Sequence, residues 1–257
     1  MKIRVSCMLM LAATLVSPHV FAQASAPVAA SAATNPVDPA AVAALQKMGA
    51  YLQSLKRFSV TTRLTGERVL EDGQKLQHTA KAEIDVDRPN KIRADLSSAR
   101  NEREIVFNGK DVTLYTPEQK YYSTVAFEGT INDLIDKLGE NYGVEIPLSD
   151  LFVWGTPNAP TDQFESAMFA GQDYIGNTLC DHYAFRQKNV DWQVWIGAGA
   201  KPLPYKIVIT RRDDDARPQS VSILDWSTNS SFKDAEFTFH PPAGAKKIEL
   251  VPVKNKG

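Results

Sequence analysis

The sequence predicts an α+β fold: one large antiparallel sheet of about 10–11 strands, curled into a half-barrel and covered by helices. Three observations carry this. Short segments rich in Val, Ile, Tyr, Phe and Thr follow one another with strong turn signals between them, most clearly from Ile84 to Val125. One amphipathic helical stripe precedes them, and one unusually apolar helical stretch interrupts them. No fixed period repeats along the chain, which disfavours a propeller, and a single sheet of this size has to curl because strand twist accumulates.

The first residues are not part of the domain. Lys2 and Arg4 precede the apolar run Val5–Val16, and small residues at Ala22 and Ala24 mark cleavage sites. This is the pattern of a signal peptide over residues 1–24. The run is short of the roughly 20 apolar residues that cross a bilayer, which weighs against an uncleaved anchor. Cys7 lies inside the run and not at its end, against a lipid-modified N-terminal cysteine. Residues 25–37 form an Ala/Pro-rich tract that reads as a flexible linker. Residues 38–257 form a single domain, large enough to bury its own core.

The chain carries 29 basic and 30 acidic residues. Without the leader the balance is 27 against 30, a net of −3, which implies no basic face and no nucleic-acid partner. Only Cys180 survives removal of the leader, so no internal disulfide is available. No segment beyond the leader approaches membrane-spanning length, so no integral span is expected in the mature chain.

Asp38-Pro39 is a helix-start pair. From there Val42, Leu45, Met48, Leu52 and Leu55 recur at three- and four-residue spacing, one stripe on a helix of about five turns. Phe58 to Leu70 then alternates, with Phe58, Val60, Thr62 and Leu64 on one face. Glu71-Asp72-Gly73 turns the chain, and Ala80, Ala82, Ile84 and Val86 line one face of the returning strand. One face of the sheet is therefore covered and the other wet. Arg88-Pro89-Asn90, Asn108-Gly109 and Thr116–Gln119 break the next strands; Asn-Gly supplies the positive φ of a tight turn.

At Gly129 the period changes. Ile131, Leu134, Ile135, Leu138 and Tyr142 share one side of a helix opening at Thr130, and a second short segment carries Leu148, Leu151, Phe152, Val153 and Trp154. So apolar an insert has to bury itself. Strands resume over Ser166–Tyr174, Leu179–Gln187, Asp191–Ile196, Pro204–Thr210 and Val221–Trp226, and Phe237–Phe239 reads as a last short strand.

Signatures of chemistry are missing from the sequence. His78, His182 and His240 are isolated from one another and from ligand-spaced Cys or carboxylates, and Asp213–Asp215 lacks the Gly and terminal Glu of a calcium loop. There is no Gly-x-Ser-x-Gly elbow and no Ser-x-x-Lys. Cys180 and His182 share a strand face without being aimed at each other, so the thiol reads as a small hydrophobe. No enzyme activity and no cofactor or metal are predicted. Trp154, Trp192, Trp195 and Trp226, with Phe152 and Tyr142, either fill the core or line a cavity for a greasy ligand; the residue types are the same in both cases.

Arg88-Pro89-Asn90, Asn108-Gly109-Lys110, Thr113-Leu114-Tyr115-Thr116-Pro117 and Glu236–Gly244 together resemble the periplasmic outer-membrane lipoprotein carriers, the LolA-like proteins. Gly129–Leu138 and Tyr142–Phe152 resemble more closely a sister family of predicted periplasmic proteins of unassigned function. The resemblance covers most of residues 38–250. It implies a LolA-like half-barrel in the periplasm, with a cavity that receives a lipid or lipoprotein acyl chain. The candidates for lining such a cavity are Leu134, Leu138, Leu148, Leu151, Phe152 and Trp154. In the carriers the arginine of the first turn latches the helical lid by hydrogen bonds, and Arg88 occupies that position. The chain departs from the carriers in its longer insert after Phe127, which would shape the cavity mouth. Two alternatives stand beside a carrier: an envelope structural or regulatory module that binds a protein partner and has no ligand cavity, and a hydrolase using Cys180 or His182.

Overall fold

The computed structural model describes residues 36–252. The signal peptide expected at 1–24 and the linker up to residue 35 lie outside the described residues. Helix α1 (Pro39–Ser54) starts where its cap residues place it, with the Asp38 carboxylate accepting from the Ala40 N–H at 2.9 Å. Its buried stripe is Ala41, Leu45, Met48 and Leu52, while Val42 and Leu55 pack at the margins. Ahead of it Val37 bridges to Ala167, so ordered pairing begins slightly before the helix.

The strands are β1 (Arg57–Val69), β2 (Lys75–Asp87), β3 (Lys91–Ser97), β4 (Glu102–Phe107), β5 (Asp111–Thr116) and β6 (Tyr121–Ala126), then β7 (Ser166–Ile175), β8 (Thr178–Gln187), β9 (Val190–Gly197), β10 (Pro204–Arg211), β11 (Gln219–Ser227) and β12 (Lys246–Lys247). Between β6 and β7 lie α2 (Ile131–Tyr142) and α3 (Asp150–Val153). All strands form one 12-stranded sheet, ordered β12-β6-β5-β4-β3-β2-β1-β11-β10-β9-β8-β7. Pairing is antiparallel except between β12 and β6. The sheet does not close: β7 and β12 are its two edges.

Apart from β12, each half of the sheet is a meander, because short turns join sequence neighbours. At one of these, Gly109 takes φ +93° and the Asn108 side chain accepts from the Lys110 and Asp111 N–H groups, both at 2.9 Å. The halves meet where β1 pairs with β11. The inner face buries one continuous apolar cluster drawn from strands as far apart as β5 and β8 and from all three helices. Flat, those two strands would stand roughly 38 Å apart at about 4.8 Å per strand, so sharing one cluster requires the sheet to curl. Phe58, Val60, Thr62, Ala82, Ile84 and Val86 face inward as the alternation predicts, while Leu64, farther along the hairpin, is half-buried.

Two long connections cross the sheet, one on each face. Because β6 lies near one edge and β7 is the other, the chain from Phe127 to Glu165 has to traverse the inner face, and it carries α2 and α3 over the core. The C-terminal segment runs from central β11 to edge strand β12 across the outer face. There Phe239 packs on Tyr115 and Tyr122, and the Arg93 guanidinium donates to the Glu236 carbonyl. This corrects one expectation. Phe237 begins no strand; it ends a 3-10 turn (Asp234–Phe237) and is 1% exposed. A segment crossing strands cannot join their ladder, so its phenylalanines act as plugs.

Candidate functional site: the inner face beneath the helical strap

Helix α2 is fastened at its first turn. Thr130 and Asp133 form a reciprocal capping box, with the Asp133 carboxylate accepting from the Thr130 N–H at 2.8 Å. Those bonds hold the Asp133 carboxyl below the usual carboxylate range. The Ile131 N–H, which a helix start leaves without an intrahelical partner, donates to the Pro89 carbonyl at 3.0 Å. The Arg88–Asn90 turn therefore carries the first turn of α2. Helix α2 ends on Gly143 in the left-handed conformation. Leu148, at φ +58°, is a bulky residue in the same region, a strained connection between α2 and α3.

Helix α3 is fastened from α1. The Gln53 side-chain amide donates to the carbonyls of Phe152 and Trp154, both at 2.9 Å. One turn earlier, Gly49 lies against Gly155, and neither position has room for a Cβ.

The structure gathers the six cavity-lining candidates on the inner face. Leu134 and Leu138 of α2 are 0% and 1% exposed, Leu151 and Phe152 of α3 are buried, and Leu148 and Trp154 pack on the same cluster. Trp154 adjoins Trp192, their ring centres 5.4 Å apart, and stacks on Phe164. Phe152 lies against Phe58, which in turn contacts Trp226. These side chains fill the space they cover. The void between Leu52, Phe58, Arg88, Leu148, Phe152 and Trp226 is ≈ 10 Å³, about the size of one water.

Arg88 sits at the rim of this void. Its peptide N–H donates to the Lys56 carbonyl at 2.8 Å, and its guanidinium lies over the Phe152 ring, 5.4 Å from the centre. Its Nε is buried with no hydrogen-bond partner, and burial pushes the guanidinium below its ordinary pKa. What it meets on the strap is an aromatic face.

Sequence reasoning weighed Trp226 as core or cavity lining but missed Phe58 as a wall of this space, although both carry the inward parity of their strands. It also missed Gln53, a polar residue beside the apolar stripe of α1, and the Gly49–Gly155 crossing, which has no local signature.

The other residues weighed for chemistry lie elsewhere. Cys180 is on the outer face with Trp195 and Val208, fully buried, and its thiol is pushed up to about 11, mainly by desolvation. His182 stacks on Trp195 at 3.9 Å and bonds Gln193 at 2.9 Å. Trp195 thus parts company with the three other tryptophans, which belong to the inner cluster. Among the described residues no group of three His, Cys, Asp or Glu side chains is arranged to hold a metal ion, and no helix is long and apolar enough to cross a membrane.

Among solved structures the chain is similar to LprF from Mycobacterium bovis, with 14% identity and a TM-score of 0.47 over 76% of this chain and 96% of that one. It is similar to the lipoprotein LppX of Mycobacterium tuberculosis, with 12% identity and a TM-score of 0.45 over 76% and 98%. A LolA superfamily protein from Nitrosomonas europaea matches with 13% identity and a TM-score of 0.32 over 77% and 97%. None of the curated proteins matches the sequence. Residues 41–251 match the family described as predicted periplasmic protein (DUF2092), and the chain belongs to that family.

Proposed function

We propose that the protein is a non-catalytic carrier that binds a hydrophobic ligand, a lipid or lipoprotein acyl chain, between the helical strap and the inner face of the sheet. It would do so in the periplasm, after loss of the leader. The observation that carries this reading is the strap itself. Apolar side chains of α2 and α3 occupy an apolar trough, held by few polar ties: the Pro89 carbonyl, the Gln53 amide and the Arg88 guanidinium. With about 10 Å³ free, a ligand enters by displacing strap side chains and takes over their contacts with Phe58, Leu52 and Trp226. Burial of its apolar surface, at roughly 25 cal/mol per Å², offsets the exposure of the lifted strap. Loading and release then reflect a shift between seated and lifted strap. Native mass spectrometry of protein purified from periplasm, with uptake of a fluorescent fatty acid, tests the reading. Co-purifying lipid or saturable uptake is expected; absence of both overturns it.

The filled interior favours a second reading, an envelope module that uses a packed core to present a surface to a protein partner. Phe169, Tyr174 and Leu179 are exposed on β7 and β8, at an open edge of the sheet. That reading predicts partner binding that survives complete delipidation.

A further inference from the structure

The Arg88 side chain stands between two spaces of opposite character. Inside is the apolar void beneath Phe152. Outside is a groove of ≈ 550 Å³ whose walls include Lys56, Arg57, Asp87 and Ser230. Arg57 is paired with Asp87 at 3.1 Å. Among the described residues no carboxylate is paired with Arg88 or Lys56, so the groove keeps an excess of positive charge where it meets the apolar interior. Arg88 is half-buried with its Nε shut off from solvent and unpartnered, and a partly desolvated cation without a counter-charge gains from a bound anion.

The geometry points to Arg88 as the anchor for the anionic headgroup, carboxylate or phosphate, of a single-chain amphiphile whose tail enters beneath the strap. The idea rests on the carrier reading above and specifies its ligand. The headgroup lies in the groove beside Lys56 and accepts from the Arg88 Nε–H, which has no partner in the seated structure. The tail replaces Phe152 as the apolar neighbour of the guanidinium. Arginine suits this place because its planar fork binds a carboxylate or a phosphate through paired N–H groups. The same displacement removes the cation–π contact that holds α3, so headgroup capture and strap release become one event.

Isothermal titration of the full chain, as wild type, R88Q and R88K, with decanoate, decyl phosphate, decanol and acetate tests the proposal. Wild type is expected to bind decanoate and decyl phosphate about tenfold or more tighter than decanol, and acetate not measurably. R88Q should lose the preference and bind decanol and decanoate alike, whereas R88K, a cation without the planar fork, keeps only part of it. In wild type alone, the preference for decanoate should vanish as the pH falls below about 4, where a carboxylate is protonated, while that for decyl phosphate persists. Equal affinity of wild type for decanol and decanoate, or an undiminished preference in R88Q, overturns the anchor and leaves the carrier reading standing. Failure of every chain-bearing probe to bind overturns both.

Discussion

Gly49 of α1 and Gly155, just past α3, touch backbone to backbone: a Cβ built on either would collide with the main chain of the other. Gly155 also sits at φ +84°, a conformation that a side chain strains. Gly49→Ala and Gly155→Ala should each destabilise the protein by about 1–3 kcal/mol, the usual range for overpacking, with Gly155→Ala the worse of the two. Calorimetry should show the thermal midpoint falling by about 2–4 °C per kcal/mol, and hydrogen exchange should quicken in residues 148–156. Two unshifted midpoints would contradict the crossing.

The cap of α2 gives an independent handle on the strap. Thr130→Ala removes a side chain from the capping box and should cost about 1 kcal/mol. Because the Asp133 pKa is lowered on folding, its contribution is present above the unfolded carboxylate pKa and is lost as pH falls through the lower folded value. The protection of amides in residues 131–142, relative to their intrinsic exchange rates at each pH, should therefore fall below pH 4 in wild type and respond less to acid in Asp133→Asn. On the carrier reading, Thr130→Ala should also take up fluorescent fatty acid faster than wild type.

At the alkaline end Cys180 acts with the opposite sign. Its folded pKa is about 11 against an ordinary value of 9.0, so between these values the unfolded chain loses its proton first. Stability falls as pH rises through that window. Chemical denaturation from pH 8 to 11 should show a shallower decline in Cys180→Ala. At pH 8 a thiol reagent should label the wild type only after denaturant is added.

Two buried phenylalanines should separate fold from function. Phe237→Ala removes a plug on the outer face, and Phe152→Ala opens a cavity on the inner face; each should cost about 3–5 kcal/mol. Only Phe152→Ala is expected to change fatty-acid uptake, raising it several-fold by vacating the space the ligand would occupy. Equal effects on uptake from both would remove Phe152 from the site.

Local chemistry made much of this architecture legible. The Asp38-Pro39 start, the stripe through Leu45, Met48 and Leu52, and the turns at Gly73 and Gly109 all stand where sequence periodicity and turn residues place them. The pairing of β1 with β11 was not legible, because alternation tells which face a residue takes and not which distant strand lies beside it. The strap's path from edge to edge follows only from that order. Phe237–Phe239 alternates like a strand, yet Phe237 packs on Phe232 of its own segment and Phe239 on the side chains of Tyr115 and Tyr122. Arg88 carries a motif resemblance, but its approach to Phe152 depends on how α3 is seated by Gln53, a long-range fact.

The β1–β11 seam has a kinetic consequence. Each meander is built from short loops, whereas the seam joins residues as remote as Ser59 and Ser227. Closing so long a loop is entropically costly before its contacts form, so high-separation pairing is slow. The N-terminal meander through β6 can assemble while the rest of the chain is still unpaired, leaving the flank of β1 opposite β2 unmatched. Until β11 arrives, β1 is an open edge rich in Val, Thr and Leu, the kind of surface that recruits other chains. Refolding should therefore become less efficient as protein concentration rises, with the exposed strand as the point of capture.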